Sequence, residues 1–165
     1  MLLSDGLKVG IQYMRRRHLM EILDVNKNYR IRFEDLVYID KNNETKAYQP
    51  LDVIGNPIKE SYVVLNYIKV LEGYSETFEQ ECFEKDSYLE ERDGFQGYYF
   101  LKSKNEIDQY LIMTLWRDVQ YYEKWVASEG FQKAFHDIVN CDVVNRQLTY
   151  KISFYDESFE RAFWR

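Results

Sequence analysis

Cysteine, proline and histidine are each present only twice in 165 residues, and glycine seven times. Cys82 and Cys141 stand 59 positions apart with no Cys-x-x-Cys or Cys/His cluster near either, which excludes a zinc-binding or disulfide-based framework. Both read as ordinary buried thiols. No apolar run approaches the roughly 18 residues of a membrane span, since stretches such as Tyr62-Val63-Val64-Leu65 are interrupted by polar residues. The opening Met1-Leu2-Leu3-Ser4-Asp5-Gly6 lacks the charged-then-apolar layout of a secretion signal, so a cytoplasmic location is expected and no membrane partner. A basic excess is missing too. The net charge is −6, with 10 basic and 9 acidic side chains through Glu60 and an acidic surplus after it, which argues against a nucleic-acid backbone as partner.

What the chain does have is aromatic rings: 15 Tyr, 10 Phe and 3 Trp, with 45% hydrophobic residues overall. That is enough for a sizeable core and too much for disorder. The second half has the clearer periodicity. Ser61 to Val70 alternates two apolar faces, Tyr62, Val64, Asn66, Ile68 and Val70 against Val63, Leu65 and Tyr67, and predicts a strand buried on both sides. After Glu72-Gly73 the spacing becomes helical, with Tyr74, Phe78, Cys82 and Leu89 on one stripe until Asp93-Gly94. Gly97 to Ser103 and Gln109 to Trp116 predict an antiparallel hairpin. Asp118 is placed to cap a helix whose stripe carries Tyr121, Tyr122 and Trp125, and Ser128-Glu129-Gly130 to restart it toward Phe131, Phe135 and Ile138. Gln147 to Tyr155 predicts the last strand.

Strand, helix, strand, strand, helix, strand is the ferredoxin-like βαββαβ order, in an α+β fold. Such a sheet with both helices on one side leaves its other face bare, and an apolar face needs a cover. Residues 1–60 supply a candidate: Leu7 to Tyr13 as a strand, Arg15 to Leu23 as a short helix, and Tyr29 to Phe33 and Leu36 to Ile39 as a strand pair. The expectation is two parts, 1–60 as a partial ferredoxin-like half covering the sheet and 61–165 as the complete unit, together a single-chain α+β barrel. Pro50 and Asn56-Pro57 punctuate the join.

From about Tyr62 to Phe154 the chain resembles the antibiotic biosynthesis monooxygenases of the dimeric α/β-barrel superfamily, and among them the bacterial haem-degrading enzymes with an N-terminal extension. The likeness lies in Asn66, in Gly94-Phe95-Gln96-Gly97, in Leu115-Trp116-Arg117-Asp118, in Glu123 to Phe131 with Trp125 inside it, and in Leu148-Thr149-Tyr150. It implies a monooxygenase that opens the porphyrin ring, with haem as both substrate and cofactor, iron from the haem, and electrons from an external donor. Asn66 and Trp125 match the family's catalytic Asn and Trp. The family's iron-binding His would fall at Phe135, four residues after Phe131, whereas His136 comes one residue late and about 100° round a regular helix. Phenylalanine cannot coordinate iron. Phe131, Phe135 and His136 are thus the expected haem-binding positions, with His136 as the metal ligand.

Two alternatives stay open: a cofactor-independent monooxygenase acting on a quinol or polyphenol, and a non-catalytic haem-binding or stress-signalling protein. In each case the expected partner is a planar aromatic ligand. The resemblance implies that the extension takes the place a second subunit fills in shorter relatives, so a monomer is expected, with a homodimer through the second-half sheet as the alternative. The basic run Arg15-Arg16-Arg17-His18 is either an anion contact or the wet side of a helix.

Overall fold

The computed structural model describes residues 20–24, 28–58, 60–84, 89–131 and 142–152. Four strands come first: β1 (Met20–Leu23), β2 (Tyr29–Phe33), β3 (Val37–Lys41) and β4 (Glu44–Gly55). They form an antiparallel meander whose tight β3–β4 turn holds Asn42 and Asn43, both at positive φ, as a primed hairpin turn demands. Then follow β5 (Tyr62–Val70), α1 (Ser75–Glu84), a 3₁₀ turn (Leu89–Glu91), β6 (Phe95–Ser103), β7 (Gln109–Trp116), α2 (Val119–Val126), a short turn α3 (Glu129–Phe131) and β8 (Val144–Ile152). This second set is the ferredoxin-like unit, in an α+β fold.

Among the described residues, the eight strands belong to one sheet, ordered β1-β2-β3-β4-β6-β7-β5-β8. The join is β4, whose backbone pairs with β6 from Tyr48 opposite Ser103 to Gly55 opposite Gly97. Pro50 lies inside this strand, and the pairing slips one position between Pro50 and Asp52. A proline has no N–H to donate, so a bulge is where a ladder can accommodate it.

The alternation of β5 divides the interior. Val63 and Leu65, with Leu111, Met113 and Leu115 of β7 and Tyr99 and Leu101 of β6, pack against Ile22, Ile31, Phe33, Val37, Ile39 and Tyr48 of the first four strands. The sheet therefore coils, and the N-terminal strands cover the face that the helices do not. Val64, Ile68 and Val70 face the other way, into a second core with Phe78 and Cys82 of α1, Phe100, Tyr110, Ile112, Trp116 and Trp125.

One expected element differs. The described end of the helix anticipated over Arg15 to Leu23 is strand β1. Ile22 points inward at 1% exposure, and Glu21 points out to meet Arg30 of β2 at 2.8 Å. A four-residue segment carries both periods, and pairing with β2 chose the period of two. The strand expected over Leu7 to Tyr13 and the run Arg15 to His18 lie outside the described residues.

Candidate functional site on the helix face

The site is built on the middle of β5. Asn66 is 5% exposed and sits between Ile112 of β7 and Thr149 of β8 in the register. Its neighbours along the same face are Val64 and Ile68, so a polar amide is set in the middle of an otherwise apolar surface. The Nδ2 group donates to the Ile112 carbonyl at 3.5 Å, the long limit for such a bond. An amide carries two N–H donors and an acceptor oxygen.

Trp125 reaches the same face from α2. Asp118 caps that helix, its carboxylate accepting from the Gln120 N–H at 3.4 Å, as the sequence predicted. With the start fixed, Tyr121, Tyr122 and Trp125 turn to the sheet. Ala127 ends the helix, and the Ser128 hydroxyl accepts the Phe131 N–H at 3.3 Å, which starts α3. Phe131 is thereby laid edge-on against Trp125, with ring centres 4.8 Å apart. Trp116 backs Trp125 at 5.3 Å, and its Nε1–H donates to the hydroxyl of Thr114, itself fully buried, at 3.0 Å. Tyr122 closes the cluster, 6.2 Å from Trp116 and 6.0 Å from Tyr62.

Gly94 shows why the Gly-Phe-Gln-Gly stretch has its composition. Its φ is +74°, and a Cβ there would fall inside the Tyr121 ring, so only glycine lets the chain pass beneath α2. Gln96, in the bulge between Phe95 and Gly97, has its amide oxygen 2.6 Å from the buried Ser61 hydroxyl.

On the opposite flank α1 is tied down by polar contacts. The Tyr110 hydroxyl donates to Glu79 at 2.7 Å, and Lys102 Nζ donates to the same carboxylate oxygen at 3.1 Å. Burial pushes the phenols of Tyr98, Tyr110 and Tyr122 above their ordinary value, with Glu79 adding to the shift at Tyr110. These hydroxyls stay protonated across the physiological range and add no charge to the face.

Of the expected site residues, the structure brings Asn66, Trp125 and Phe131 to one face of the sheet. Phe135 and His136 lie in 132–141, outside the described residues. Among the described residues no group of three or more His, Cys, Asp or Glu is placed to hold a metal ion. Sequence reading passed over Thr114 and Ser61. Thr114 lies two residues before Trp116 on the same face of β7, a position from which its hydroxyl can satisfy the indole, whereas Ser61, just before β5, carried no such signal.

Residues 61–137 match the model of the antibiotic biosynthesis monooxygenase family. Among solved structures, a regulator of staphylococcal pathogenesis is similar with a TM-score of 0.65 and 16% identity over 91% of this chain and 92% of that one. A monooxygenase-like protein of Listeria innocua is similar with a TM-score of 0.60 and 16% identity, over 92% and 88%. A haem-degrading enzyme of Listeria monocytogenes is similar with a TM-score of 0.56 and 14% identity, over 88% and 93%. At these identities the likeness is one of fold, and it extends over the N-terminal strands as well.

Proposed function

We propose, for a chain whose residues 61–137 match the antibiotic biosynthesis monooxygenase model, that the helix face of its sheet binds a flat aromatic substrate and directs oxygen insertion into it, with haem as that substrate. The observation that carries this reading is that Asn66 and Trp125 lie on the same face of the sheet. An amide in the middle of an apolar row is a polar group that packing alone does not call for, and its N–H donors suit it to hold a polar atom on that face. Asn66 would donate a hydrogen bond to oxygen bound beside the substrate. Trp125, braced by Trp116 and Phe131, would press on the substrate plane and keep water off it. Haem would supply the iron that activates O₂, with electrons from an external reductant. His136 is the residue proposed to hold it.

The second reading is a cofactor-independent monooxygenase of a quinol or polyphenol, in which substrate and O₂ react directly. It is favoured by Phe135 standing where the family's ligand belongs and by the cluster of rings in which Tyr62 and Tyr122 pack against the buried Trp116 and Trp125.

Haemin titration of the purified protein separates these. A Soret shift that His136→Ala abolishes, with bilin-like absorbance growing under ascorbate and slowed at least tenfold by Asn66→Ala, is the expected result. A shift without bilin formation leaves a non-catalytic haem-binding or stress-signalling module. No shift overturns the haem reading and directs the search to quinols.

A further inference from the structure

A cavity of about 510 Å³ opens at one end of the coiled sheet, and of the residues named for the candidate site only Ile68 also lines it. It lies where the N-terminal meander meets the second half: one wall comes from β2 to β4, the other from the end of β5 and the start of β7. Its floor is the end of the inner core, with Tyr29 and Ile39 at 8% and 3% exposure and Tyr67 packed beside them. Its rim carries Lys41, Lys46 and Lys69 against a single carboxylate, Glu44.

This balance is unusual for the molecule. A chain of net charge −6 gathers three lysines around one opening, and Glu106, 3.6 Å from Lys46, offsets only part of it. Lys41 is held in place, its Nζ 4.9 Å above the Tyr29 ring centre. A concave apolar floor under converging cations selects a ligand with matching halves, a flat hydrophobic body and a negative charge at its edge. Its volume lies within the range of small-molecule pockets and exceeds what a solvent ion needs.

We infer that this mouth is a binding site for a small organic anion with an aromatic body, of the aryl carboxylate class. It exists only because the N-terminal strands fold over the sheet, so it belongs to the extended architecture and not to the βαββαβ unit alone. The inference is independent of what the helix face does.

The test uses the full chain and 2-naphthoate, with neutral 2-naphthamide as the control of equal shape. In ¹H–¹⁵N NMR titrations 2-naphthoate is expected to saturate below millimolar concentration, with the largest shifts at the amides of Lys41, Tyr67, Lys69 and Gln109. The amide analogue should bind at least tenfold more weakly. Lys41→Glu and Lys69→Glu, both at the rim and outside the core, should each weaken naphthoate several-fold while leaving the remaining spectrum in place. Equal binding of the two compounds, indifference to both charge reversals, absence of saturation, or shifts centred on Asn66 and Trp125 would each overturn it.

Discussion

The Thr114 hydroxyl is a single atom group on which the aromatic wall of the site depends. It accepts from the Trp116 indole in a fully buried setting, so Thr114→Val keeps the shape and leaves a donor without its acceptor. The expected loss is about 1–3 kcal/mol in urea unfolding, larger than Val53→Thr at an exposed strand position, which should move stability by less than about 0.5 kcal/mol. Gly94→Ala tests a different force. The new methyl would occupy the Tyr121 ring at a positive φ, and a drop of several degrees in Tm with α2 loosened is the expected outcome by circular dichroism and hydrogen exchange. Legibility at this scale was uneven. Asn66 was readable because polarity broke an apolar alternation. The role of Thr114 was not, because a threonine in a strand is common and its partner is decided by which way the Trp116 ring turns.

Among the elements, α1 shows how a short helix with many acidic residues is kept on the sheet. Phe78 and Cys82 are its only inward-facing buried side chains among the described residues, and Glu79 adds a polar anchor by accepting from both Tyr110 and Lys102. Glu79→Ala removes the nearer acceptor from a phenol that is 1% exposed and leaves it the Ser75 carbonyl at 3.5 Å. Faster amide exchange through Ser75–Glu84, with β5 to β7 unchanged, is the expected reading, and uniform change across the sheet would show that the anchor is not local. The helices and β5 to β7 were predicted from periodicity because each buries a stripe of apolar side chains, and β8 from the alternation of Leu148, Tyr150 and Ile152 in the sequence. β4 was missed. Glu44, Thr45, Lys46 and Gln49 carry no apolar signal, Pro50 reads as a break, and what makes the segment a strand is the backbone pairing with β3 and β6 on either side.

For the whole molecule, the buried phenols set an alkaline limit. Burial raises the Tyr99 hydroxyl from 10.0 to about 12, and it raises those of Tyr48, Tyr98 and Tyr110 as well. A folded-state value above the unfolded one means that the stabilisation is fully present below pH 10 and is lost as pH climbs from 10 toward 12, because only the unfolded chain can then release those protons. Tm should fall steeply over that interval, and tyrosinate absorbance at 295 nm should rise with unfolding instead of before it. A gradual rise in the folded protein at constant Tm would contradict this. The coiled sheet also predicts the state of assembly. Because β1 to β4 already cover the inner face of β5 to β7, elution as a monomer near 20.1 kDa is expected in light-scattering chromatography, whereas a dimer would require that cover to be displaced.

Alternation and helical spacing determined the ferredoxin-like order and the face on which Asn66 lies, since both follow from which side chains must leave water and repeat every two or every 3.6 residues. The coiling of eight strands into one sheet, the use of a polar, proline-bearing segment as its central seam, and the cationic mouth between its two parts depend on pairings between residues some 50 positions apart. No local pattern records such pairings, because a backbone hydrogen bond is indifferent to the side chains on either end of it, and only the assembled core selects which strands meet.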